Sequence, residues 1–93
     1  MNTYQLAIEY FGKDHQLIKA IEELNELSKE LCKVALNDSS KERLEKVAEE
    51  IADAEIMIQQ LKYILPISAI IPKYKMLKLN RIREKILEEN IVC

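Results

Sequence analysis

The chain has 93 residues, of which 48% are hydrophobic and 32% are charged, and its formal net charge is −2. This length indicates a single domain spanning residues 1–93. The near-neutral charge argues against a general nucleic-acid binder, so we expect no nucleic-acid polymer as a partner. With one glycine and two prolines the backbone has few interruptions, which predicts an all-α fold. A chain of this size buries only part of its apolar surface, and we expect self-association to complete the core.

The apolar segments and the cysteines favour a cytoplasmic protein. The longest run without a charged residue, residues 63–72, contains both prolines and is too short to span a bilayer. The N-terminal sequence MNTYQLAIEYFGKDH lacks the uninterrupted apolar core of a signal peptide. Cys32 and Cys93 do not form the pattern of a secreted disulfide framework, and we expect two free thiols in a reducing compartment. We therefore expect no membrane partner.

Two helices are predicted before the strongest turn signal. A short helix over residues 3–11 ends at Gly12, because glycine favours the position after a helix C-terminus. Asp14 is the predicted cap of a second helix over residues 15–36. The apolar positions of the second helix follow a heptad stripe, which predicts its packed face. This stripe consists of Leu17, Ile21, Leu24, Leu31 and Ala35.

Two more helices are predicted after the turn at residues 37–40, NDSS. Ser39 or Ser40 caps the third helix, and Pro66 ends it. The fourth helix begins between residues 68 and 72, with Pro72 best placed in its first turn, and runs to about residue 89. The apolar stripe of the third helix consists of Val47, Ile51, Ala54, Ile58, Leu61 and Leu65.

The predicted architecture is an antiparallel helical hairpin with a short helix before it and a long helix after it. Hairpins of this kind associate into four-helix-bundle assemblies, which is the form expected on oligomerisation. We expect no internal repeat and no linker.

Four acidic residues occupy mirrored positions about the turn at Asp38. Glu23 and Asp53 lie fifteen residues before and after it, and Glu26 and Glu50 lie twelve residues before and after it. If the two helices fold back at this turn, the acids meet as facing pairs at one level of the hairpin. Like charges gathered on facing helices repel each other unless a cation lies among them. The pattern therefore suggests a divalent-metal site.

The acids are predicted to flank the packed stripes rather than to lie within them. On a helical wheel Glu23 falls about 40° from Leu27, and Glu26 falls about 60° further out. Carboxylates without histidine or cysteine suit Mg²⁺ or Mn²⁺ and match zinc poorly. The alternative is a solvated face whose acids form ordinary surface pairs with lysines one turn earlier.

The sequence around these acids resembles a known family. EELNE at residues 22–26, followed by EIAD at residues 50–53, is similar to the E-E-x-x-E … E-x-x-D signature of the MazG-like, all-α nucleoside triphosphate pyrophosphohydrolases. The surrounding FGKDHQLIKAIEELNELSKEL and AEEIADAEIMIQQLKYI resemble the family's helix pair in order, spacing and apolar pattern. The resemblance covers roughly residues 6 to 88 and is strongest to the small stand-alone members from Gram-positive bacteria and their phages.

The resemblance implies Mg²⁺-dependent hydrolysis of a nucleoside triphosphate between the α- and β-phosphates, with Mn²⁺ as a substitute metal. The products are a monophosphate and pyrophosphate. By this resemblance Glu22 and Glu49 are catalytic carboxylates that orient the attacking water or take a proton from it. The implied metal ligands are Glu23, Glu26, Glu50 and Asp53.

The predicted last helix supplies the cations that a triphosphate attracts. Lys75, Lys78 and Arg81 fall within about 120° of each other on a helical wheel. The family often places a lysine and an arginine three residues apart near this helix, preceded by an asparagine. Lys78 and Arg81 match the pair, whereas Met76 stands in the place of the asparagine. The alternative for these three cations is a solvated basic face. Gln16, upstream of the acidic motif, is a candidate contact to the base or ribose, and the alternative for it is a surface glutamine.

The sequence is compatible with three classes of function. The first is the pyrophosphohydrolase, acting on a nucleoside triphosphate as a homodimer or homotetramer. The second is a non-catalytic helical interaction or regulatory protein, such as one of phage origin, that retains the fold. The third is an antitoxin-like or coiled-coil adaptor whose acids face solvent. Metal dependence separates the enzyme from the other two.

Overall fold

The structure, a computed structural model, describes residues 1–92 and is helical along nearly all of them. The described chain forms four α-helices and no strands, which confirms the all-α prediction. Cys32 is a free thiol, as predicted, and its side chain is exposed. Cys93 lies outside the described residues. The helices are α1, Thr3–Phe11; α2, Lys13–Ala35; α3, Lys41–Ile64; and α4, Ile71–Val92.

Gly12 is the whole junction between α1 and α2. Its φ of 93° lies in the region that favours glycine, so the chain can end one helix there and begin the next without an added residue. The prediction of Asp14 as the cap of α2 is wrong. Asp14 lies in the first turn of the helix, where its charge favours the helix dipole, and Gly12 holds the cap position.

The turn between α2 and α3 lies at the predicted residues. Asn37 adopts a φ of 76°, and the Asp38 backbone N–H donates to the Lys33 carbonyl over 3.0 Å, as in a Schellman motif. The Ser40 hydroxyl then accepts a hydrogen bond from the Arg43 backbone N–H over 3.2 Å and caps α3. Local capping chemistry therefore sets the point at which the chain folds back.

An elbow over residues 65–70 separates α3 from α4. Leu65 is the C-cap of α3, so the helix ends immediately before Pro66. Pro72 lies in the first turn of α4, where its missing N–H is not needed. Ser68, at the earliest predicted start of this helix, instead donates its hydroxyl to the Lys62 carbonyl over 2.9 Å.

The helices α2 and α3 pack as an antiparallel hairpin, with α1 lying against both. Residues that are mirrored about the turn meet across this hairpin, and Gln16 hydrogen-bonds Gln60. The buried and half-buried side chains recur every three or four residues along one face of each helix. They include Gln16, Ala20, Glu23, Leu27, Glu30 and Val34 of α2 and Arg43, Val47, Glu50, Ala54, Met57 and Leu61 of α3.

Only part of the predicted apolar stripes lies in this seam, namely Val47, Ala54 and Leu61 of α3. Ile21, Leu24 and Leu31 of α2 are 59%, 40% and 47% exposed, and Ile51 and Ile58 of α3 are 40% and 43% exposed. The hairpin instead closes over a face with several charged and amide side chains. These five exposed stripe residues are left on the outside of the single chain.

The described chain is long and thin, and α4 contacts none of the other three helices. The Cα radius of gyration is 17.3 Å, whereas a compact chain of this length has a radius of about 12 Å. Every described side chain from Pro72 to Glu89 is exposed. Among residues 1–92, none of the helices combines the length and the apolar character that a bilayer crossing requires.

Candidate metal centre

Three of the four predicted ligand residues converge across the middle of the hairpin. Glu23 of α2 and Glu50 and Asp53 of α3 each place one carboxylate oxygen within 4.8 Å of the other two. The antiparallel register about Asp38 accounts for this meeting. The Glu50 side chain is 7% exposed and the Glu23 side chain is 16% exposed, so both acids lie within the seam rather than on its flank. We call Glu23, Glu50 and Asp53 the carboxylate cluster.

One oxygen of Glu50 has no partner. Its Oε2 atom is buried and makes no hydrogen bond within the described chain, while its Oε1 atom lies 3.3 Å from Lys46 Nζ. A buried charged oxygen without a partner is unfavourable, and such atoms are rare in folded proteins. A cation among the three carboxylates would satisfy it.

Two lysines bracket the carboxylate cluster. Lys19 Nζ lies 3.2 Å from Glu23 Oε1, and Lys46 takes the equivalent position beside Glu50. The hydrogen bond that Lys19 donates to Glu23 raises the pKa of Lys19, and the hydrogen bond that Lys46 donates to Glu50 raises the pKa of Lys46. Both ammonium groups therefore stay charged beside the acids at neutral pH.

The remaining predicted acids lie outside the carboxylate cluster. Glu26, predicted as the fourth ligand, has a side chain 47% exposed and lies 3.9 Å from Lys29. It sits about 60° round the helix from Glu23, which turns it away from the seam. Glu22 and Glu49, predicted as catalytic acids, have side chains 60% and 72% exposed. Their nearest basic partners are the two lysines that bracket the cluster, at 3.7 and 3.8 Å.

A short pattern of one lysine and three acids, which we call the internal repeat, occurs once in α2 and once in α3. KAIEELNE at residues 19–26 and KVAEEIAD at residues 46–53 share a lysine, two adjacent glutamates and a final acid at the same positions. Glu23 thus corresponds to Glu50, and Glu26 corresponds to Asp53. Two copies of one pattern on antiparallel helices bring their central glutamates to opposite sides of one seam. The repeat was a sequence signal for the bracketing lysines as well as for the acids.

The open end of the hairpin carries a buried amide pair. Gln16 Nε2 donates to Gln60 Oε1 over 2.8 Å, and both residues are 4% exposed. The side-chain amide oxygen of Gln16, Oε1, lies 2.7 Å from His15 Nδ1. The side-chain amide of Gln16, predicted to contact a base or ribose, is thus already engaged with its neighbours, and its role in substrate binding stays a prediction.

The turn end of the hairpin carries an ion-pair network that sequence analysis did not identify. Arg43 bridges Glu30 and Asp38, with its Nε atom 3.0 Å from Asp38 Oδ2, and Lys33 Nζ lies 3.3 Å from Glu30. Burial alone would raise the pKa of Glu30, but hydrogen bonds from Arg43 and Lys33 outweigh it and hold this pKa below its ordinary value. The hydrogen bond from Arg43 lowers the pKa of Asp38. The missed signal was heptad spacing, because Glu30 follows Glu23 by seven residues.

The predicted substrate cations stay apart from the carboxylate cluster within one chain. Lys75, Lys78 and Arg81 are exposed on α4, which contacts neither α2 nor α3. Lys75 lines an open groove of about 440 Å³ at the elbow between α3 and α4, together with Lys62 and Met76.

Comparisons of the chain with protein-family models, with characterised proteins and with solved structures found no significant match.

Proposed function

We propose that this chain is a MazG-like, Mg²⁺-dependent nucleoside triphosphate pyrophosphohydrolase. It would cleave the α–β phosphoanhydride and release a nucleoside monophosphate and pyrophosphate. The reaction would take place in the cytoplasm, where both nucleotide and Mg²⁺ are present. The observation that carries the proposal is the convergence of Glu23, Glu50 and Asp53 around the buried, unpartnered oxygen of Glu50. Oxygen donors without nitrogen or sulfur suit Mg²⁺, which completes its coordination with waters and substrate phosphates, and Mn²⁺ would replace it.

In this proposal the carboxylate cluster holds the metal and Glu26 completes the ligand set. Glu26 is the counterpart of Asp53 in the internal repeat. Its ion pair with Lys29 is long, at 3.9 Å, and half exposed, so a change of side-chain rotamer toward the seam costs little. Two acids from each helix would then share the ion.

The exposed acids have a separate role in this mechanism. A bound Mg²⁺ supplies charge neutralisation and Lewis acidity toward the phosphates. Glu22 and Glu49 stand on the solvent side of the carboxylate cluster, where a carboxylate can orient an attacking water and accept its proton. Water is the nucleophile, so the reaction needs no serine or cysteine.

The proposed active form is a homodimer or homotetramer in which α4 of one subunit lies against the hairpin of another. The α4 segment contains six basic and three acidic residues, whereas residues 1–70 contain eight basic and thirteen acidic residues. This complementarity would draw α4 to a neighbouring hairpin. Lys75, Lys78 and Arg81 would then reach phosphates held at the neighbour's carboxylate cluster.

The test is pyrophosphate release from a panel of ribo- and deoxynucleoside triphosphates with Mg²⁺ or Mn²⁺. Glu50→Gln removes one carboxylate charge from the cluster and should reduce release at least about a hundredfold, because a displaced metal forfeits several kcal/mol of transition-state stabilisation. Glu45→Gln is the matched control, since it removes the same charge from an exposed position of α3. No release from folded protein that also gains no thermal stability from either metal would refute the enzyme.

A non-catalytic helical interaction protein is the second candidate, and the apolar surface of α4 favours it. Leu79, Ile82 and Ile86 are between 54% and 63% exposed in the single chain, which suits a helix that docks on a partner. Such a protein would bind its partner equally well after Glu50→Gln or Asp53→Asn and would show no turnover before either change.

A further inference from the structure

We infer that Lys19 and Lys46 compete with the divalent cation: they offset the repulsion among the carboxylates in the metal-free protein and set how tightly the metal binds. This inference rests on the proposed metal centre. It concerns a different property of that centre, namely its affinity for the free ion.

The two lysines hold equivalent positions at the carboxylate cluster. Each precedes its glutamate by one helical turn and opens its copy of the internal repeat. The Nζ–Oε1 distances are 3.2 Å for Lys19 and Glu23 and 3.3 Å for Lys46 and Glu50. Both lysine side chains remain about half exposed, at 46% and 47%. Each ammonium group can therefore leave its carboxylate for solvent at small cost.

Charge balance makes these ammonium groups competitors of a metal. Three carboxylates within 4.8 Å of each other repel, and two lysines offset two of the three negative charges. A divalent ion that enters the cluster meets two positive charges a few ångströms away, on the lysines that pair with the Glu23 and Glu50 carboxylates. Removing a lysine should therefore weaken the metal-free hairpin and strengthen metal binding at the same time. An ion pair with a purely structural role would show only the first effect.

The experiment compares the unaltered full chain with the variants Lys19→Met and Lys46→Met, in the absence of nucleotide. Titration calorimetry measures the affinity for Mn²⁺, and thermal unfolding with and without Mn²⁺ measures stability. Methionine keeps the length and apolar stem of the side chain but removes its charge. Each variant should bind Mn²⁺ roughly three- to tenfold more tightly, as expected for removing one charge near the ion in a partly solvated site. Each should also unfold at a lower temperature without metal, and Mn²⁺ should raise that temperature by more than in the unaltered chain.

Lys33→Met is the matched control. Lys33 is 46% exposed and forms a 3.3 Å ion pair with Glu30, so its exposure and its ion-pair distance match those of the two test lysines. Glu30 lies two helical turns beyond Glu23, outside the carboxylate cluster. This variant should lose thermal stability and keep the Mn²⁺ affinity of the unaltered chain.

The outcomes separate this inference from the proposed function. If the unaltered chain binds Mn²⁺ and both test variants bind it equally or more weakly, the competition is disproved and the metal centre stands. If only the test variants bind Mn²⁺, the competition is supported in its strongest form. If none of the proteins binds Mn²⁺, both the metal centre and the competition are disproved.

Discussion

At the scale of single residues, Glu50 differs from the other acids because it is buried and one of its oxygens has no partner. Glu50→Gln removes negative charge from a place where three carboxylates repel, and it loses one ion pair with the half-exposed Lys46. These effects oppose each other, so the metal-free melting temperature should change little. The stabilisation by Mg²⁺ should disappear, because one of the three converging donors loses its charge. Thermal unfolding with and without Mg²⁺ measures both quantities.

Two further variants, Glu26→Gln and Glu45→Gln, serve as comparisons for Glu50→Gln. Glu26→Gln should reduce the Mg²⁺-dependent stabilisation less than Glu50→Gln does, since Glu26 must first leave its exposed position beside Lys29. Glu45→Gln should leave the stabilisation intact. Equal Mg²⁺ stabilisation in the chain with and without Glu50→Gln would contradict the assignment of Glu50 as a ligand.

The positions of the acids were predictable from sequence, but their burial was not. Mirrored spacing about Asp38 predicts which acids meet, and the structure brings Glu23, Glu50 and Asp53 together. The helical wheel placed them beside the seam because the seam was assigned to the apolar side chains. The i,i+4 pairs of these acids with lysines can be read from the spacing. Which of the acids are buried depends on how α2 packs against α3.

At the scale of elements, the turn between α2 and α3 depends on Arg43 and two carboxylates. The pKa values of Glu30 and Asp38 lie below their ordinary values of 4.5 and 3.8 in the folded hairpin. Below those ordinary values the unfolded chain binds more protons than the folded one, so stability falls as the pH falls. The contribution is complete above about pH 5 and is lost as the pH drops through the lowered pKa values. Melting temperatures measured from pH 7 down to pH 3 should show this decline.

Arg43→Met tests the origin of the acid sensitivity. Without the guanidinium group the two carboxylates return toward their ordinary pKa values, so the melting temperature at pH 7 should fall by several degrees and its decline with acid should become shallower. Arg43→Lys keeps the charge but not the fork that reaches both acids, and it should recover only part of the loss. An unchanged slope in Arg43→Met would assign the acid sensitivity to other groups.

The helix ends were largely predictable because local chemistry sets them. Gly12, the NDSS turn and the two prolines each act over one or two residues, and the observed ends lie close to the predicted ones. The packed faces were not predictable in the same way. Heptad spacing gives a stripe but does not say which partner covers it. Ile21 and Ile58 face outward in the single chain, whereas Ala54 of the same α3 stripe is buried.

At the scale of the whole molecule, the single chain leaves many large apolar side chains exposed, and we expect self-association to cover them. Its outward stripes and the apolar face of α4 suit a second copy, so sedimentation at micromolar concentration should give a dimer or tetramer. Ile82→Glu places a charge at a 55% exposed apolar position and should shift the assembly toward monomer. Asn80→Glu adds the same charge about 160° round the helix and should leave it intact. A monomer at high concentration without either change would contradict the proposed assembly.

Mixing two inactive variants tests whether α4 serves a neighbouring carboxylate cluster. One variant carries Glu50→Gln, and the other carries Lys78→Gln and Arg81→Gln. If α4 acts across subunits, a mixed dimer pairs the intact cluster of the second chain with the intact α4 of the first, so one of its two sites is complete. Mixed dimers form half of a randomised equal mixture, so activity should return to about a quarter of the unaltered level. If α4 acts within its own chain, every site keeps one lesion and mixing restores nothing. Because α4 contacts neither hairpin helix of its own chain, we expect the recovery.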